Sequence, residues 1–534
     1  MAQITPFTGQ PTLEETCEVS RARTLVNAGA NYGQYFVSML AGIFLQAYIV
    51  RKLGREEYAI WPLVASCLAF IGLMQTGIGS GTARFLADAL GRKDVDALAR
   101  VTSSVFFVML IGAGVYAGAV ICVSVSFEDI FDIPQGTAGT GPWVLLIAGV
   151  AGATAMPFSV FYGGLIASQS FVWMNVLAIA RTLSRVTLIV AVFAFGMCSL
   201  IWVASVDLIL GIVYNVAIYV LARRLVPWQR VSLRWFDLAT FRRVNGFSIL
   251  LLVSSVAMML YWHTDNIIIN KLLGPSLVTG YFIVANMFLA IHRVTSLGVS
   301  VLAPSATVLH AKGDVPRLAR LLFRANRTIV PFTTSGLWFL VLYGRQVLRA
   351  YVGSGYEENA VLFPILGVAF IFSGLQNSAA IVPQAYGKWT VVCLMSLFVA
   401  AANVVISLFL VIYCGWGVCG VAAGTAFVTV TYKLLFWPWY TARLLRICYA
   451  EYFRQTILVP LANSAPFVLT TLGFALAGHG QTLAGVVAVF GVAAGLEAFY
   501  MIIWGLHASD RETLRQYAGR ATKRIFLCQR NARQ

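Results

Sequence analysis

Charge is what this chain of 534 residues has least of: Asp, Glu, Lys and Arg together make up 11% of it, against about 25% in an ordinary soluble domain. The acids are scarcest, 21 against 38 Lys and Arg, and histidine occurs five times. No G-x-x-x-x-G-K-[ST] loop occurs, which excludes a built-in P-loop ATPase. No H-E-x-x-H and no cysteine–histidine cluster offers a metal site, and His263, His292, His310, His479 and His507 are scattered. No cofactor is therefore expected. The nine cysteines are not a disulfide framework; Cys67, Cys122, Cys393 and Cys419 lie in or beside apolar runs, as small hydrophobes do. A cleavable signal peptide is not expected either, because "MAQITPFTGQPTLEETCEVSRAR" lacks an apolar core. The expected outside loops are too short for a catalytic domain, and no enzyme is expected.

What the chain has is apolar length. Hydrophobic residues make up 59%, in runs that repeatedly reach the roughly 20 residues needed to cross a bilayer as a helix. The alternating segments of about ten residues that mark a membrane β-barrel are absent. The expected fold is an all-α polytopic membrane protein. Its spans fall near 27–50, 57–80, 101–126, 142–168, 171–197, 199–222, 246–270, 277–305, 328–345, 361–384, 389–413, 416–441, 455–478 and 481–505, about fourteen transmembrane helices.

The net charge of +17 fits this topology. With the N-terminus in the cytoplasm, twenty-eight basic residues fall inside and six outside, the bias of the positive-inside rule. The acidic loops "SFEDIFDIP" and "GSGYEEN" then fall outside. The basic charge thus reads as orientation and contact with anionic membrane lipids, and no nucleic-acid partner is expected.

Two stretches, "GRKDVDALARV" and "AKGDVPRLARL", share Asp-Val-x-x-Leu-Ala-Arg with Asp94 and Asp314 lying 220 residues apart. Leu53-Gly54 and Leu273-Gly274, Ala65 and Ala285, and Ser80 and Ser300 keep the same offset. A constant register over nearly fifty residues indicates an internal duplication. The offset covers six spans, an even number, so the copies are parallel repeats. The expected organisation is a cytoplasmic segment 1–26, a six-helix lobe 27–222, a basic linker 223–245, a second six-helix lobe 246–441, an extra C-terminal helix pair 442–505 and a basic cytoplasmic tail 506–534. Each repeated aspartate follows a turn and precedes a long span, the place of an N-cap.

Polar groups inside the spans are the candidates for function, because they are costly in hydrocarbon and face a bundle interior or a wet cavity. Asn27, Asn31, Gln34 and Ser38 share one face of the first span. Asn286, Arg293 and Ser300 share one face of the eighth. Arg181 and Arg185 stand one turn apart in the fifth and repel unless an acid or anion sits beside them; Asp207, in the next span, is a candidate partner. Asp265 lies near the outer end of the seventh, and Lys433 low in the twelfth, where it can snorkel. The candidate cavity residues are Arg293, Arg181, Arg185, Asn286, Asn31 and Gln34; Asp265 and Asp207 are candidates for ion coupling. The plainer alternative for the amides and hydroxyls is bonding between helices. At the duplication offset, Leu73 and Leu45 stand opposite Arg293 and Asp265, so the charges are asymmetric on a repeated scaffold.

The segment "TDNIIINKLLGPSLVTGYFIVANM" resembles the junction between spans seven and eight of Wzx-type polysaccharide flippases, in the multidrug/oligosaccharidyl-lipid/polysaccharide exporter superfamily. "YIVRKLGREEYAIWPLVASCLAFIGLMQTGIGSGTARFLA" resembles their junction between spans one and two. The resemblance implies a V-shaped exporter fold and alternating access. It implies transport of isoprenoid-diphosphate-linked oligosaccharide from the inner to the outer leaflet of the bacterial inner membrane, for O-antigen, capsule or exopolysaccharide. A cationic central cavity is typical of such proteins, and Arg293 matches it in type and span; Arg181 and Arg185 match in type alone. With no ATPase, a proton or sodium gradient is a candidate drive, and a polysaccharide polymerase or glycosyltransferase a candidate partner. The other readings are a drug/cation antiporter of the same superfamily, a peptidoglycan-precursor flippase and a non-transporting partner of a polysaccharide synthase.

Overall fold

A computed structural model describes residues 21–72, 78–134, 136–245, 248–300 and 302–505. Residues 1–20 and the expected basic tail lie outside the described residues. The long helices are α1 (Arg21–Ile71), α2 (Ile78–Gly91), α3 (Val95–Val125), α4 (Thr140–Ala167), α5 (Phe171–Ala194), α6 (Leu200–Leu225), α7 (Ser248–Leu273) and α8 (Ser276–Ser300). They continue as α9 (Ala303–Ala311), α10 (Val315–Thr328), α11 (Val330–Val352), α12 (Leu362–Leu375), α13 (Trp389–Ile412), α14 (Gly417–Thr431), α15 (Trp437–Leu445), α16 (Val459–Leu476) and α17 (Leu483–Tyr500).

Among the described residues, eleven helices are long and apolar enough to cross a membrane. The difference from the expected fourteen has a local cause at α1. This single helical run of 51 residues covers the first expected span and much of the second. Gly54 interrupts it with φ 81° and ψ −177°, backbone angles open to a residue without Cβ. Its offset mate Gly274, between α7 and α8, also has positive φ, 107°. Helices α7 and α11 occupy two further expected spans; both carry polar residues along part of their length and are not among the eleven.

The chain forms two compact units, Met1–Phe282 with Cys393–Val404, and Ile283–Val392 with Val405–Gln534. In the first, α4 packs against α3 and α6, and α1 against α5 and α7. In the second, α12 packs between α11 and α14, and α11 also meets α16. Helices α16 and α17 pack together around Phe339, Tyr343, Phe467, Val486, Val489 and Ala493.

The repeated aspartates are helix caps. Asp94 Oδ1 accepts from the Ala97 amide at 2.8 Å, and Asp314 Oδ1 from the Arg317 amide at 3.1 Å. Each satisfies one of the four amides that a helix start leaves unpaired. Asp94→Ala or Asp314→Ala is therefore expected to destabilise the protein by about 1 kcal/mol. Thermal melting in detergent reads that loss, with transport of the surviving protein unchanged.

Candidate functional site

The polar face of the first span joins α1 to α5 and to the turn that precedes it. Asn27 Nδ2 donates to the Gln169 carbonyl at 3.0 Å, and Asn175 Nδ2 donates to Asn31 Oδ1 at 2.6 Å. Gln34 Nε2 donates to the Ser38 hydroxyl at 2.9 Å, which lies 3.3 Å from that of Thr182. Helix bonding thus accounts for part of this stripe. Asn31 is exposed and Gln34 half-buried, so both retain accessible surface.

One turn further along α5 the chemistry becomes ionic. Arg185 Nε and Nη2 donate to Asp207 Oδ1 and Oδ2 of α6 at 2.5 and 2.9 Å, a two-pronged pair of fixed geometry. The pair cancels the Arg185 charge locally. Arg181 is exposed and stacks over the Tyr214 ring, 5.1 Å from its centroid. A ring face stabilises a cation without neutralising it, so the positive field of this helix face is centred on Arg181.

Asp265 is buried on α7, where it accepts a hydrogen bond from the Tyr281 hydroxyl of α8. Around it is a polar junction. Asn266 Nδ2 donates to the Ser66 hydroxyl at 3.4 Å, and that hydroxyl lies 3.3 Å from His263 Nδ1. Further along α7, Asn270 exchanges two hydrogen bonds with the Asp132 backbone at 2.9 and 3.1 Å, and Lys271 pairs with the Asp132 carboxylate at 3.3 Å. Asp265 thus places a buried carboxylate at a contact between α7 and α8.

Arg293 lies in the other unit, exposed in the second half of α8. Among the described residues it forms no hydrogen bond, ion pair or ring contact. The half-buried Asn286 precedes it by seven residues, two helical turns. Beside it, the His292 ring lies 6.0 Å from that of Phe370, and Asn377 Nδ2 donates to the Ser296 hydroxyl at 2.9 Å. The guanidinium is thus exposed and unbonded among the described residues.

Two features were not among the sequence candidates or differ from their reading. Glu497 on α17 is buried and accepts from the Ser335 hydroxyl of α11 at 2.7 Å. It forms no ion pair among the described residues. Its acid in an apolar run was the available signal. Lys433, expected to snorkel, is half-buried in a π-helical turn, Tyr432–Phe436, with Nζ 5.7 Å from the Tyr432 ring centroid and 5.4 Å from that of Trp437.

Residues 25–310, more than half the chain, match the model of a family described as polysaccharide biosynthesis protein. The chain belongs to this polysaccharide biosynthesis protein family. A relative in Bacillus subtilis (strain 168), "Uncharacterized membrane protein EpsK", is 21% identical over 443 residues, covering 78% of this chain and 83% of its own. Solved structures share the fold of this polysaccharide biosynthesis protein. The lipid II flippase MurJ, inward closed, has a TM-score of 0.62 at 12% identity, over 89% of this chain and 99% of that one. An inward-facing multidrug resistance MATE transporter has a TM-score of 0.60 at 16% identity, over 77% and 95% respectively.

Proposed function

We propose that this transporter flips isoprenoid-diphosphate-linked oligosaccharide from the inner to the outer leaflet of the bacterial inner membrane, by alternating access, for surface polysaccharide synthesis. The chain then crosses the membrane about fourteen times with both termini cytoplasmic, with 27–222 and 246–441 as parallel six-helix repeats, 223–245 as their linker and 442–505 as an appended pair.

The observation that supports it best is Arg293, a permanent cation on a membrane helix with no partner among the described residues, in a chain of this family. A guanidinium offers a diphosphate paired, planar donors and keeps its charge at every physiological pH. Arg181 adds a second accessible cation, with Arg185 held beside it by Asp207. Asn31, Gln34 and Asn286 supply amide donors and acceptors suited to sugar hydroxyls. Asp265 is the proposed carrier of a coupling proton or sodium ion, since the Arg185 pair already engages Asp207. A polymerase or glycosyltransferase would supply or consume the lipid-linked glycan.

The test is reconstitution of the purified protein in liposomes carrying a fluorescent lipid-linked oligosaccharide on one leaflet. Glycosidase accessibility then reports its transfer, with and without proton or sodium gradients. Protein-dependent exchange is the expected result. Exchange of a lipid-linked peptidoglycan precursor alone would select that reading instead, and uptake of a cationic drug alone would select the antiporter.

A further inference from the structure

A basic, aromatic cavity of about 610 Å³ opens in the second unit, remote in sequence from every residue assigned above to transport. Its volume is within the roughly 300–1,000 Å³ of small-molecule sites. Two chain segments build it. One is the turn that precedes α13, with Tyr386 and Lys388; the other is the end of α15, with Trp439, Arg443 and Arg446, preceded by Phe436.

The walls are held by a hydrogen bond and ring contacts, and the cations have no carboxylate partner among the described residues. The Tyr386 hydroxyl donates to the Leu444 carbonyl at 3.0 Å, and its ring lies 3.9 Å from that of His310. Phe436 stacks on Tyr440 at 5.3 Å. Lys388, Arg443 and Arg446 are all exposed, and none forms an ion pair with a carboxylate among the described residues. Arg443 lies over the Trp439 ring, 5.7 Å from its centroid, and Trp439 is half exposed.

A helix C-terminus by itself favours a cation in its last turn. That accounts for Arg443. It does not account for Lys388, which stands at the start of another helix. Nor does it account for the backbone of Arg446, held in the left-handed region at φ 56° and ψ 41°. Glycine commonly ends helices in that conformation, and an arginine there is strained. The chain thus keeps a charged side chain where a smaller residue would fit the backbone better, at the rim of a cavity with two other cations.

We propose that this cavity is a binding site for the phosphate headgroup of an anionic bilayer phospholipid. The three cations match a phosphate, and the exposed tryptophan suits the membrane–water boundary. The aromatic and aliphatic wall suits the first carbons of an acyl chain. The helices that end here belong to runs apolar enough to span, and the charge bias puts this end on the cytoplasmic face, where basic pockets meet anionic lipid. The occupant is distinct from the glycan cargo, so the site stands whether or not the transport reading does.

Native mass spectrometry of the delipidated full-length protein tests it, with phosphatidylglycerol, phosphatidylcholine, inorganic phosphate and a polyprenyl monophosphate in separate titrations. Phosphatidylglycerol is expected to bind at least tenfold more tightly than phosphatidylcholine, and inorganic phosphate not to displace it. Arg443→Ala with Lys388→Ala is expected to remove that preference. Arg446→Gly keeps a residue suited to the backbone, so the fold is retained while affinity for phosphatidylglycerol drops. Unchanged phosphatidylglycerol binding in the Arg446→Gly protein and in the double variant overturns the proposal. So does displacement by inorganic phosphate, or tighter binding of polyprenyl phosphate at these residues, which would make the site one for cargo.

Discussion

Arg293→Ala is expected to lower lipid-linked oligosaccharide translocation by about 10- to 100-fold, the equivalent of losing one charged hydrogen-bonded contact worth roughly 1.5–3 kcal/mol. The protein should still insert and accumulate. The guanidinium is exposed and forms no bond among the described residues, so its removal leaves no group behind that must find a new partner. Arg293→Lys separates charge from geometry: a lysine keeps a cation but presents a point charge where arginine presents a planar fork. Intermediate transport in Arg293→Lys points to paired contacts with the diphosphate, and full transport to charge alone. Wild-type rates in Arg293→Ala would remove Arg293 from the site. Little change in any variant of α5 or α8 would favour a scaffold for other proteins over a transporter.

The elements most legible in the sequence were those set by local pattern. Apolar runs marked the helices, because each span must satisfy its own backbone hydrogen bonds in hydrocarbon. The repeated aspartates were recognisable as caps because N-capping depends on four consecutive residues. Arg185 and Asp207 could be paired from sequence because adjacent helices of a short hairpin lie side by side, and two close cations require an acid. Groups joined over long separations were not legible. Ser335 and Glu497 lie 162 residues apart, and no periodicity connects them. The cavity beside α15 is similar: Lys388 and Arg446 each read as ordinary positive-inside charges until the fold brings them to one wall. The π-helical turn that sets Lys433 against Tyr432 and Trp437 is a change of helix pitch, which an apolar window does not resolve.

Asp207→Ala is expected to lower the amount of folded protein sharply, and Arg185→Leu in the same chain to restore much of it. Removing one partner of a fully buried ion pair costs about 3–5 kcal/mol, while an exposed pair contributes about 0–1. The Arg185 and Asp207 side chains are 31% and 23% exposed, so an intermediate cost of roughly 2 kcal/mol applies to the single variant. Two effects produce that cost: an unpaired cation facing apolar surroundings, and its repulsion of Arg181 one turn away. Replacing both members removes both effects, and a double-mutant cycle on thermal stability in detergent measures the coupling. The double variant also separates structure from ion coupling. If Asp207 only holds Arg185, the folded double variant keeps its response to a proton or sodium gradient, because Asp265 is intact. If Asp207 carries the coupling ion, that response disappears although the protein folds. A double variant as unstable as Asp207→Ala alone would mean that the carboxylate supports α5 and α6 through something other than this arginine.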